Sequence, residues 1–230
     1  MSEPAGRQLG TGDLDEFRRA GEALVAGLAD HLAGLPGRPV WQPLPDELRA
    51  ELLSLPLPED ATGLGPLVET MLRDVLPYPM GNGHPAFFGW VNPPPSLAGV
   101  LASLAAAAMN PSVVAGDHAD VHVERTAVRW LAELVGYPHA PGAGLLTSGA
   151  SAATIVCLAG ARSRAAAAAG RDVRRDGLAG GPRLLCYVPS EAHSCVSRAI
   201  ELLGLGSGSI RPVPLSGGRL DQDALRAAIA

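Results

Sequence analysis

A chain of 230 residues, 47% apolar and 18% charged, can bury a core as one domain or as a small domain beside a larger one. A net charge of -5 with no basic cluster excludes nucleic acid and anionic membrane as expected partners. The apolar stretches are Ala-rich and interrupted, too short to span a membrane, and "MSEPAGRQLG" lacks the layout of a signal peptide, so a cytoplasmic location is expected.

In chain order, Asp13 and Glu16 have capping-box spacing ahead of "LDEFRRAGEALVAGLADHL". Leu14, Phe17, Leu24, Val25, Leu28 and Leu32 recur there at helical intervals, which predicts one amphipathic helix. The prolines of "LPGRPVWQPLP" end it, and "DELRAELLSL" and "LGPLVETMLRDVL" predict two short helices. With no strand signal, residues 1–77 read as an all-helical N-terminal arm or small helical domain.

"PYPMGNGHPAFFGWVNPPPS" is a Gly/Pro-rich bend carrying aromatic residues, followed by a helix from Ser96 to Asn110 and another over "VERTAVRWLAELVG" that stops at Gly136. The pattern then alternates: strand-like 144–147, a helix, strand-like 183–189, helix 193–204, strand-like 210–215 and a capped helix from Asp221. Such order predicts an α/β architecture, a parallel sheet covered by helices, over residues 78–230. The polar stretch 165–182 is expected to be a mobile loop. Cys157, Cys186 and Cys195 are too few for a disulfide framework and are expected to be reduced core residues.

Ligands of open parallel sheets gather where strand turns into helix, and "TSGAS" at 147–151 occupies such a turn. Free backbone N–H groups, hydroxyls and the positive end of a helix dipole suit an anion there, most simply a phosphate ester; the alternative is a Ser/Thr cap with no ligand. Neither a Walker loop nor a Gly-x-Gly-x-x-Gly motif is present. His193, just after the second strand-like run, could stack on an aromatic ring or simply face water at a helix start. A serine hydrolase with Ser151 as nucleophile is the competing enzyme class, against which stand Ala153 in place of the second elbow glycine and the early position of His193. His118 and His122 have zinc-compatible spacing but no evident third ligand, so no metal is expected.

Taken together, "GNGHPAFFGWVN", "RWLAELVGYP", "SGASAAT" and "YVPSEAHS" resemble the pyridoxal-phosphate-dependent amino-acid decarboxylases of the aromatic-amino-acid, histidine and glutamate decarboxylase group, from about Asp13 to the end of the chain. The resemblance implies the fold type I, PLP-dependent transferase-like architecture, pyridoxal 5'-phosphate as cofactor, an amino acid as substrate and a homodimer interlocked through its N-terminal arms. It places Ala150 and Ser151 at the cofactor phosphate, His193 on the pyridine ring, and Trp90, Val91 and Asn92 beside the substrate pocket, with His84 and Pro85 opening that stretch. Ala152 departs from the acidic or polar residue that relatives often carry after the Ser.

The family also uses a Schiff-base Lys and a carboxylate against the pyridine nitrogen, both in later strands. All 18 basic residues of this chain are Arg. The expectation is therefore the front portion of a decarboxylase, incomplete at its C-terminus and inactive alone, with a split enzyme or a non-catalytic cofactor-binding or dimerisation remnant as alternatives.

Overall fold

The computed structural model describes residues 13–112, 116–138 and 144–229, in two compact units, Met1–Asn110 and Pro111–Ala230. The arm boundary expected at residue 77 falls inside the first unit.

In the first unit, α1 (Leu14–Gly34) begins as its sequence predicts: Asp13 accepts from the N–H groups of Glu16 and Asp15, which also hold its carboxyl below the usual range. The box is not reciprocal, however. Glu16 turns away from Asp13 and accepts from Leu64 N at 2.6 Å, satisfying the first N–H of α3 (Leu64–Thr70), whose own N-cap is the side-chain-less Gly63. A carboxylate at a helix N-terminus also suits the dipole, so one side chain joins α1 to α3. Between them lies α2 (Asp46–Ser54), and α3 continues into a wider π turn over Met71–Val75.

After the Gly/Pro bend, α4 (Leu97–Met109) is capped by Ser96, which accepts from Gly99 N, and ends on Asn110 in the left-handed region at φ 42°. No charged residue lies between Asp74 and Asp117, and no residue of α4 is buried. The α1–α3 scaffold therefore leaves α4 uncovered.

The second unit holds α5 (Ala119–Leu134), α6 (Ala150–Ala168), α7 (Val173–Asp176), β1 (Cys186–Pro189), α8 (Cys195–Leu202), β2 (Ile210–Val213), a small hairpin of β3 (Leu215–Ser216) and β4 (Arg219–Leu220), and α9 (Gln222–Ile229). β1 and β2 pair in parallel, Cys186 opposite Ile210 through Pro189 opposite Val213, with α8 as the crossover. Ala166, Ala199, Ile200 and Val213 are buried at this core. Asp221 caps α9 through the N–H groups of Asp223 and Ala224.

Several expectations need correction. Residues 144–147 form no strand, because no other strand lies alongside them among the described residues. The run 183–189 is a strand only from Cys186, where β2 begins to face it. The stretch 165–182 is ordered: α6 continues to Ala168, α7 follows, and the Arg171 guanidinium donates to the carbonyls of Asp176, Gly177 and Ala179. The three cysteines are free, but Cys157 is exposed and the other two are half-buried, since no described residue of its unit covers the Cys157 face of α6. No described helix is long and apolar enough to cross a membrane.

Two predictions concern the first unit. Gly81 sits at φ +100°, and a Cβ there would stand 2.2 Å from the backbone oxygen of Val40. Gly81→Ala should therefore cost about 2 kcal/mol or more in urea unfolding followed by Trp41 fluorescence. His31 is held below its ordinary 6.5 by burial and then by the Arg38 guanidinium, which donates to its Nδ1 at 3.1 Å. Because the unfolded chain takes up this proton more readily, the stability present above pH 6.5 is lost as pH falls below it. Urea melts should show that loss between neutral and mildly acidic pH, and His31→Gln should flatten it.

Candidate functional site

The chain reaches α6 along an extended run held against α5. Leu146 N donates to Glu124 Oε1 at 2.8 Å, and at Gly144 a Cβ would come within 2.4 Å of Val128 Cγ1. The Thr147 hydroxyl donates to Gly149 O at 3.0 Å. Gly149 itself takes φ +147° and ψ 173°, a conformation open essentially to glycine alone.

α6 starts immediately afterwards, its first intrahelical bond running from Ala153 N to Gly149 O. The N–H groups of Ala150, Ser151 and Ala152 lie ahead of that bond, and no side chain caps them. α1, α4, α7 and α9 are capped by Asp13, Ser96, Asp172 and Asp221, whereas α2 and α5 share with α6 the lack of a side-chain cap. Among the described residues the Ser151 hydroxyl has no hydrogen-bond partner, and no heavy atom lies within 4 Å of a Cβ built on Gly149.

His193 stands at the turn between β1 and α8. Its Nδ1 accepts from Cys195 N at 3.2 Å, which fixes that nitrogen as unprotonated and holds the exposed ring in place. Two contacts then set α8 against α6. Thr154 Oγ1 lies 3.8 Å from Cys195 Sγ near the two helix starts, and Arg162 donates to Leu203 O at 2.9 Å near the end of α8. Both pairs are separated by the same 41 residues, so the helices run parallel and in step, with Cys195 at the start of α8 beside Thr154, one turn into α6. Each N-terminus carries roughly half a positive charge, and two together raise the potential where an anion would sit. Free N–H groups, a free hydroxyl, open space and a pinned imidazole fit a phosphorylated aromatic cofactor.

Trp90, Val91 and Asn92 belong to the first unit, on the bend that begins at His84. Trp90 is 78% and Val91 99% exposed. Trp90 adopts φ +52°, a strain of about 1–3 kcal/mol for a bulky residue. Its ring lies 6.3 Å from that of Phe87.

The competing sites are weaker. A nucleophilic Ser needs a base within hydrogen-bond reach, and no hydrogen bond to Ser151 Oγ is formed among the described residues. His122 Nε2 meets Asp117 Oδ1 at 2.6 Å, holding the Asp117 carboxyl below its usual range, and His118 bridges Asp120 and Ser112 O. Each imidazole is thus engaged locally, and no group of three or more metal-ligating side chains gathers among the described residues. Sequence reasoning missed Glu124, Thr154, Arg162 and Cys195, the side chains that assemble the site. Each acts on a partner 22 or 41 residues away, and no local pattern marks such pairs.

The pyridoxal-dependent decarboxylase conserved domain matches residues 45–230. The aromatic-L-amino-acid decarboxylase of Rattus norvegicus is 29% identical over 219 residues, covering 89% of this chain and 44% of that protein. Its Bacillus atrophaeus counterpart is 28% identical over 193 residues, covering 83% of this chain and 38% of that protein. A crystal structure of Oryza sativa TDC with PLP and tryptamine superposes with a TM-score of 0.81 at 25% identity, over 96% of this chain and 49% of that one. Mouse CSAD in apo form superposes with a TM-score of 0.79 at 23% identity, over 94% and 46%. The chain thus spans less than half the length of these relatives, and it shares with them the fold type I architecture of its described parts. A domain match over most of its length, with that fold, makes this chain a member of the pyridoxal-dependent decarboxylase family.

Proposed function

We propose that this chain supplies the phosphate-holding and ring-stacking part of a pyridoxal-phosphate-dependent L-amino-acid decarboxylase, a cytoplasmic homodimer. The observation that carries the proposal is the uncapped first turn of α6, one turn ahead of the point where the start of α8 meets that helix. When bound, the cofactor supplies an electron sink for the carbanion left as CO2 departs. The residues here do the holding. The N–H groups of Ala150 and Ser151 and the Ser151 hydroxyl receive the phosphate, and Gly149 lets it approach the backbone. His193, its Nδ1 occupied by Cys195 N, offers a ring face to the cofactor plane. Trp90, Val91 and Asn92 are assigned to the substrate side chain.

With all 18 basic residues being Arg, the lysine amine that holds the cofactor covalently comes in this reading from a residue outside this chain. The uncovered apolar α4 supports self-association, because so much exposed apolar surface favours a partner.

The test uses Ser151. In the decarboxylase containing this chain, Ser151→Ala should weaken pyridoxal phosphate binding about tenfold to a hundredfold, the worth of a hydrogen bond to a charged group. A fluorophosphonate probe should leave Ser151 unlabelled. Labelling that Ser151→Ala abolishes, or cofactor affinity indifferent to the substitution, would contradict the proposal.

A further inference from the structure

We infer that His84 is the positioning residue of the bend that carries Trp90, Val91 and Asn92: its imidazole ties the base of the bend to the segment after α1. The inference rests on the reading of those three residues as substrate-facing. A neutral imidazole has one donor and one acceptor, and His84 uses both on backbone groups of different segments. Nε2 donates to Arg38 O at 3.1 Å across 46 residues, and Nδ1 accepts from Ala86 N at 3.0 Å, which fixes the tautomer.

The backbone closes around the same residue. His84 N donates to Gly81 O, and Phe87 N donates to His84 O. At the far end Asn82 Nδ2 donates to Pro93 O at 2.9 Å, so both ends of the bend are joined and its tip projects as a compact loop. Burial does not hold that tip, where Phe88, Trp90 and Val91 are all exposed and Trp90 is strained. The ties at the base must hold it. Their anchor is firm: Arg38 N donates to the carbonyl of the buried Leu35 at the end of α1, and the Arg38 guanidinium donates to His31.

Neither amide side chain can replace both bonds. Gln can place a donor near the Nε2 position, and Asn an acceptor near Nδ1.

The experiment uses the full chain with Trp41→Phe and Trp130→Phe, so that Trp90 is the sole indole. His84→Ala should lower the steady-state anisotropy of Trp90 and speed proteolytic cleavage within 85–93 roughly thirtyfold, the factor implied by losing two ordinary hydrogen bonds. Helical circular dichroism should stay at the parent level. His84→Gln, which keeps the tie to Arg38 O, should recover most of the anisotropy, and His84→Asn less. Parent-like anisotropy and cleavage in His84→Ala would overturn the inference, as would a loss of helix signal shared by His84→Ala and His84→Gln. The readout is the motion of Trp90 itself, so it is independent of whether the loop meets substrate, which a change of amino-acid preference in Trp90 variants reports separately.

Discussion

The parallel packing of α6 on α8 is the constraint on which the site depends. Two helices side by side in the same direction gain nothing from their dipoles, which oppose each other at both ends. The pair is held instead by two polar contacts in step, Thr154 with Cys195 and Arg162 with Leu203, beside the buried Ala199 and Ile200 of α8. Arg162 places a cation on the carbonyl end of α8, where it opposes the partial negative charge. At the other end no described side chain caps α6, and His193 Nδ1 accepts from the first N–H of α8. The uncapped N–H groups of α6 and the pinned ring of His193 are what the proposed function assigns to the cofactor phosphate and ring.

The first unit solves a different problem. It holds the bulky apolar Phe88, Trp90 and Val91 exposed on a bend. Gly81, pressed against Val40 O, allows the chain to leave the α1 segment at a close approach, and His84 and Asn82 close the bend behind it. The absence of charge from Asp74 to Asp117 leaves this unit with apolar surface that the α1–α3 scaffold does not cover. An enzyme in which such a surface is buried against further protein can keep it at no cost in solubility.

Much of this organisation was legible in the sequence where the physics is local. Asp13, Ser96, Asn110, Gly136 and Asp221 mark helix ends in the structure as their types predict. The parallel order of β1 and β2 around α8 followed from alternation alone. What failed was non-local. A strand requires a neighbour, and residues 144–147 find Glu124 of a helix instead. Glu16 has the right spacing for Asp13 but a better use at Leu64, where a helix start lacks any side-chain cap. The loop expected over 165–182 was ordered by one guanidinium that gathers three carbonyls, which polarity alone does not reveal. Of the positions singled out, Ala150 and Ser151 lie in the first turn of α6 and His193 in the turn before α8, while the contacts that bring the two helices together carry no motif.

The central claim is that the α6 turn is built for a phosphate and that the α8 turn beside it receives the ring. Its most direct measurement is a nitrogen-15 amide titration of the full chain with pyridoxamine 5'-phosphate, and in parallel with pyridoxamine, at millimolar concentration so that weak binding is seen. The account predicts that the phosphorylated ligand shifts the amides of Ala150, Ser151 and Ala152 together with Cys195, whose N–H meets His193, and that pyridoxamine leaves the α6 amides unmoved. Unmoved α6 amides with the phosphorylated ligand, or equal shifts with both ligands, would contradict it.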